Sequence, residues 1–194
     1  MVRCLPPVPL FRALPRSIAL TQAQIRYGND GQWSTMTLRL GNPVQTVYLL
    51  AGMSSSITTA VGSVWCNDPN SGLPCDLRGR SFTPANSNTW TEIGQYELEL
   101  TPELIETNLR YTSKDFGFGQ FGRDSIKIGN EDGRELVMDN QTIAVVNDTT
   151  HLLGSLGLSL KSRSFVAEEQ YPSFVSLLFE TKTIPSKYLT RSNC

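Results

Sequence analysis

Three adjacent serines, Ser54, Ser55 and Ser56, and a lone histidine, His151, are the residues from which a hydrolytic nucleophile and its base would have to be drawn. A serine must be activated by a base within hydrogen-bond reach, and many serine hydrolases hold it on a Gly-x-Ser-x-Gly elbow. No such elbow surrounds these serines, so a hydroxyl-rich turn and a loop histidine account for them better. One histidine and four scattered cysteines offer no metal-ligand spacing. Gly117-Phe118-Gly119 is not followed by Gly-Lys-Ser/Thr and reads as a bend between strands, not a phosphate loop. No metal and no cofactor is expected.

Cys66 and Cys75 bracket a segment of Asn, Asp, Pro, Ser and Gly that closes a tight loop easily. A local disulfide is the expectation, with two free surface thiols as the alternative. Cys4 and Cys194 lie near the chain ends without evident mates. Two N-glycosylation sequons, Asn140-Gln141-Thr142 and Asn147-Asp148-Thr149, also suit a secretory route, leading outside the cell or to its surface.

The chain has 194 residues, enough for one core-bearing domain or for one lobe of a larger protein. Seventeen basic residues stand against 18 acidic ones with no Lys/Arg cluster, which argues against a nucleic-acid partner. No apolar run approaches the roughly 20 residues of a membrane span. Residues 1–30 are expected to form a flexible N-terminal arm, because Arg3, Arg12 and Arg16 and four prolines interrupt every apolar stretch before Leu20.

The rest reads as strand and turn. Trp33 to Leu40 alternates in character, Thr46 to Leu50 is β-rich, and Gly41-Asn42-Pro43 between them predicts a hairpin. Ser56 to Val61, Tyr96 to Leu100 and Gln141 to Val146 are further expected strands. Phe116 to Ile128 reads as a strand pair around a Gly-rich bend. Ser173 to Glu180 places Phe174, Leu177 and Leu178 at helical spacing. The expected fold class is all-β, a sandwich or barrel-like lobe with one or two short helices.

The order of these pieces resembles the N-terminal lobe of pepsin-like aspartic proteases over roughly residues 31–188. Gly41-Asn42-Pro43-Val44-Gln45 is similar to the family's Gly-x-Pro-x-Gln turn between two strands. Where the Asp-Thr-Gly-Ser-Ser loop should follow, this chain has Ala51-Gly52-Met53-Ser54-Ser55. Cys66 and Cys75 resemble the family's small disulfide loop. Phe82 to Trp90 resembles its Phe-x-Pro-x-x-Ser-x-Thr-aromatic segment, and Gly122-Arg123-Asp124-Ser125-Ile126 its Gly-x-Asp-Thr-Val strand. Leu153 to Leu158 is similar to the Asp-Gly-Ile-Leu-Gly-Leu turn behind the active site, and Ile184-Pro185-Ser186 to the lobe's closing segment. The nearest likeness is to divergent fungal members with a degraded first aspartate loop, some of them held at the cell surface.

The resemblance implies a catalytically silent lobe. The family builds one site from two lobes, each giving an aspartate; the pair shares a proton across a bound water. Ala51 can neither take a proton nor hold that water, and no second Asp-Thr/Ser-Gly triplet occurs before Cys194. The flap tyrosine is also displaced: Thr101-Pro102-Glu103-Leu104 stands there, with an insertion to Tyr111. Asp124 and Asp148 are the nearest imitations of the lost aspartate, and neither has the glycine that follows it in the family. The expected partners are an extended peptide, a missing second lobe, or a second copy through the face such a lobe would cover. Half of an active two-lobed endopeptidase and a cell-surface structural domain are the alternatives.

Overall fold

The computed structural model describes residues 22–27, 33–66, 74–98, 117–129, 135–147, 152–162 and 170–187. The strands are β1 (Gln22–Tyr27), β2 (Trp33–Leu40), β3 (Gln45–Gly52), β4 (Thr58–Val61), β5 (Thr91–Leu98), β6 (Gly117–Gly129), β7 (Glu135–Val146) and β8 (Ser155–Gly157). Two short α-helices, α1 (Ser63–Cys66) and α2 (Phe174–Glu180), and two single 3₁₀ turns, Cys75–Arg78 and Pro84–Asn86, complete the described elements. The chain is strand-dominated, as its alternating and β-branched segments require.

The strands lie in one sheet in the order β1-β2-β3-β8-β4-β7-β6-β5. A further pairing of Arg39 and Leu40 on β2 with Lys127 and Ile126 on β6 bends that sheet back on itself. The path β2-β3-β8-β4-β7-β6 thereby closes into a ring, and β1 and β5 extend from it. Leu38, Leu40, Val47, Leu49, Ile126, Ile128, Ile143, Val145 and Leu156 turn inward and fill the core, each almost wholly buried. Helix α2 covers this core with Phe174, Val175 and Leu178. Ser173 caps it by accepting a hydrogen bond from the Ser176 amide at 3.2 Å.

Several expectations are corrected by the pairings. Gly117–Gly129 is one continuous strand, not a strand pair around a bend: it pairs with β5 on one side and β7 on the other. Its glycine at 122 serves close approach, since a Cβ there would lie 2.5 Å from both the Thr91 carbonyl oxygen and the Trp90 ring. Six residues of the expected arm, Gln22–Tyr27, form β1 against β2. Tyr27 anchors that strand, buried with its ring 6.1 Å from that of Tyr48. Burial first, and Tyr48 second, push its phenol above the ordinary tyrosine range, with Arg80 pulling it partly back. Ser155–Gly157, read as part of a turn, is a strand wedged between β3 and β4. Strand β5 lies earlier than expected, at Thr91–Leu98, and β7 begins six residues earlier, at Glu135.

The wedge depends on two glycines. A Cβ on Gly154 would lie 2.3 Å from the Thr59 carbonyl oxygen, and one on Gly157 2.3 Å from that of Ser56. Backbone atoms cannot yield as a flexible side chain can, so any side chain forces the strands apart. Gly157→Ala should therefore destabilise by at least the ~1–3 kcal/mol of an overpacked core. Gly129→Ala meets nothing within 4 Å and should stay within about 0.5 kcal/mol of the parent. Urea unfolding of the two variants side by side checks this contrast.

Candidate functional site

Ala51 emerges where β3 leaves the core. Val47 and Leu49 of the same strand face are buried, whereas Ala51, two residues on, is exposed. β8 runs parallel to this end of β3, with Leu50, Ala51 and Gly52 opposite Ser155, Leu156 and Gly157. The Leu50 amide donates to the Gly154 carbonyl at 3.0 Å, and the Leu158 amide to that of Gly52 at 2.9 Å. The ladder continues into the loop, where the Ser159 amide donates to the Ser55 carbonyl at 3.1 Å.

The loop after Ala51 is anchored from below. Ser55 Oγ accepts from the Ile57 amide at 3.1 Å, a local turn bond. Ser56 is buried and donates to the Tyr171 carbonyl at 3.0 Å. Ile57 packs with Phe121, Ala144 and Tyr171 in a second small core, in which the Phe121 and Tyr171 rings meet edge to face. Only the tip, Met53 and Ser54, stands free in solvent, Met53 with 61% of its surface exposed. Two threonines that the sequence reading did not single out fasten the other side. Thr59 Oγ1 accepts from the Ser155 amide at 2.9 Å, and Thr58 Oγ1 from the Gly157 amide at 3.2 Å. In sequence they are indistinguishable from ordinary strand threonines.

Residues 51–57 contain no titratable group. Ser55 and Ser56 are held by backbone atoms, and His151 and Asp148 lie outside the described residues. Asp124 is described, and it is elsewhere: it packs against the Gly41 turn at the start of β3, whereas Ala51 lies near its end. Six strand residues separate these points by roughly 20 Å. The structure thus keeps Asp124 apart from the loop that follows Ala51. Among the described residues no cluster of His, Cys, Asp or Glu fits a metal ion.

Asp124 has a different job. It is 2% exposed, and its Oδ1 accepts hydrogen bonds from Thr89 Oγ1 at 2.5 Å and the Ser125 amide at 2.8 Å. Thr89 Oγ1 lies 3.1 Å from Ser87 Oγ, which accepts from the Asn42 amide at 3.0 Å. The Gly41 amide donates to the Ser125 carbonyl at 3.0 Å. Gln45 makes a paired contact with Thr83, accepting from its amide and donating to its carbonyl at 2.8 and 3.0 Å. Three segments distant in sequence, residues 41–45, 82–90 and 122–126, are therefore tied into one clasp. Gly41 fits it with a φ of 73° and with space for no side chain, since a Cβ would lie 2.5 Å from Ser87 Oγ.

The remaining sites divide. Asn140 is exposed on β7, and Asn147 is partly buried with its carboxamide against Gly62. Cys75 is held in a disulfide, and the side chain of Cys66 lies outside the described residues. No helix among the described residues is long and apolar enough to cross a membrane. No family model matches the chain, and no curated protein matches it either.

Removing the Asp124 carboxylate would take the acceptor from the Thr89 hydroxyl and the Ser125 amide together. Asp124→Ala is expected to cost about 1–3 kcal/mol and Thr89→Ala about 1 kcal/mol, with the double variant less than additive. Chemical denaturation of the four proteins in the cycle tests this; strict additivity would mean that the clasp does not act as a unit.

Proposed function

We propose that this chain is a catalytically silent lobe of the pepsin-like type, one that keeps the scaffold of a peptide-holding cleft and has lost its water-activating carboxylate. The single observation that carries the reading is Ala51, exposed at the mouth of the parallel β3–β8 crossing. That position resembles the family's aspartate position, and methyl is all the chemistry it offers. The convergence of the segments that carry the resemblance supports the reading further. The loop at 51–55 meets the segment at 153–158, and the segments at 41–45, 82–90 and 122–126 meet in the clasp. A scaffold without its acid and base still offers backbone groups to an extended peptide.

A second reading is favoured by one feature. Met53 and Leu160 are 61% and 57% exposed on the two segments that the loop ladder joins. A second lobe or a second copy would cover such an apolar pair, so the chain would be half of a two-lobed molecule. The secretory route, outside the cell or at its surface, belongs to the same proposal, as does Cys66 for the partner of Cys75. Mass mapping of the unreduced protein should recover a Cys66–Cys75 peptide, a closure worth about 2–3 kcal/mol. Cys75 linked elsewhere would overturn the pairing.

The purified protein should cleave no denatured protein substrate at any acidic pH and should not bind a pepstatin-type inhibitor, whose hydroxyl has no carboxylate pair to meet. Ala51→Asp alone should restore neither property. Met53 stands where the family has glycine, and one carboxylate without a partner cannot share a proton. Inhibitor-sensitive cleavage by the unmodified chain would overturn the reading.

A further inference from the structure

The closed path of strands leaves one interior strand half uncovered. β7 pairs with β6 along its length, but β4 reaches only Ile143 to Val146. Among the described residues, Glu135 to Thr142 therefore has no neighbour on its other side. A strand edge that no other strand pairs is a template for a further strand from another molecule. The outward face here includes Val137, 45% exposed, between Glu135 and Asp139.

Asn140 sits on this open stretch, at a bulge. Asp124 pairs with Gln141 and Ile126 with Met138, so Asp139 and Asn140 together stand opposite Ser125 alone. Asn140 takes a φ of 59°, a left-handed conformation that asparagine tolerates better than most residues, and it is exposed. It is also the acceptor of the sequon completed by Thr142. We infer that Asn140 carries an N-linked glycan whose bulk blocks strand addition along the open half of β7. The inference rests on the secretory reading above.

In the transfer, Asn140 Nδ2 bonds to the anomeric carbon of an oligosaccharide carried on a lipid diphosphate. The bond from that carbon to the phosphate oxygen breaks, the lipid diphosphate leaves with the electron pair, and the amide loses one proton. A large hydrated group at the bulge then obstructs a partner strand before the edge can be zipped.

The test is secretion of the full chain from a eukaryotic host behind an added leader, which guarantees exposure to the glycosylating machinery whatever the native route. Glycopeptide mapping should find Asn140 occupied in most secreted molecules. Asn140→Gly, which accepts the same backbone conformation, and Thr142→Ala should each abolish that glycan. Both variants, and wild type stripped by a glycosidase, should then associate several-fold faster in light scattering than the glycosylated protein. Made in bacteria, wild type and Asn140→Gly should associate at equal rates, separating the loss of the glycan from any packing defect. Asn140 bare in most secreted molecules, or equal association with and without the glycan, would overturn the inference. Neither result would bear on whether Ala51 silences the lobe.

Discussion

Everything near the candidate site depends on how closely three backbones pass one another. β8 is three residues long, yet it runs parallel to β3 on one side and bonds to β4 on the other. It enters because Gly154 and Gly157 present no side chain to the carbonyls of Thr59 and Ser56. Once it is there, its Ser155 and Gly157 amides are taken up by the hydroxyls of Thr59 and Thr58, and the Leu158 amide just beyond it by the Gly52 carbonyl. The exposed end of β3 is thus held by backbone and hydroxyl hydrogen bonds. Rigidity of this kind fixes the place of a side chain, and here that side chain is the methyl of Ala51.

The clasp at the other end of the hairpin works differently. Its centre is a buried carboxylate with a hydroxyl and an amide as donors. A partly satisfied polar group in the interior is costly to disturb. One oxygen of Asp124 is satisfied twice while the other has no partner. The two ends of β3 are therefore fixed by separate devices, backbone crossing at Ala51 and a polar network at Gly41.

Much of this was legible in the chain and some was not, for physical reasons. Period-2 patterning located β2 to the residue, and the 3.6-residue spacing of Phe174, Leu177 and Leu178 located α2, with Ser173 supplying the cap. The Gly-rich run at 117–122 misled because glycine serves two purposes. It permits a bend, and it also permits a neighbour's ring and backbone to come close inside a continuous strand, which is the case for Gly122. β1 was hidden by the polar character of Gln22, Gln24 and Arg26, since an edge strand needs little apolar burial beyond Tyr27. For the site, Ala51, Gly52 and the loop serines stood out in sequence. Thr58, Thr59 and Tyr171, which fasten the loop, did not, because their roles exist only once distant strands are adjacent.

The ring closure between β2 and β6 carries a consequence for how the chain reaches this state. Only two residue pairs make the closure, and they join Arg39 and Leu40 to partners close to ninety positions later. Loop-closure entropy must be met before such a contact returns any energy. Local hairpins such as β2–β3 and β6–β7 can form early, while the seam must wait until both are in place. The seam shares this cost with the still longer closures of β8 on β3 and on β4. A nascent chain released before β6 is complete would hold its first hairpin open, with Leu38 and Leu40 uncovered.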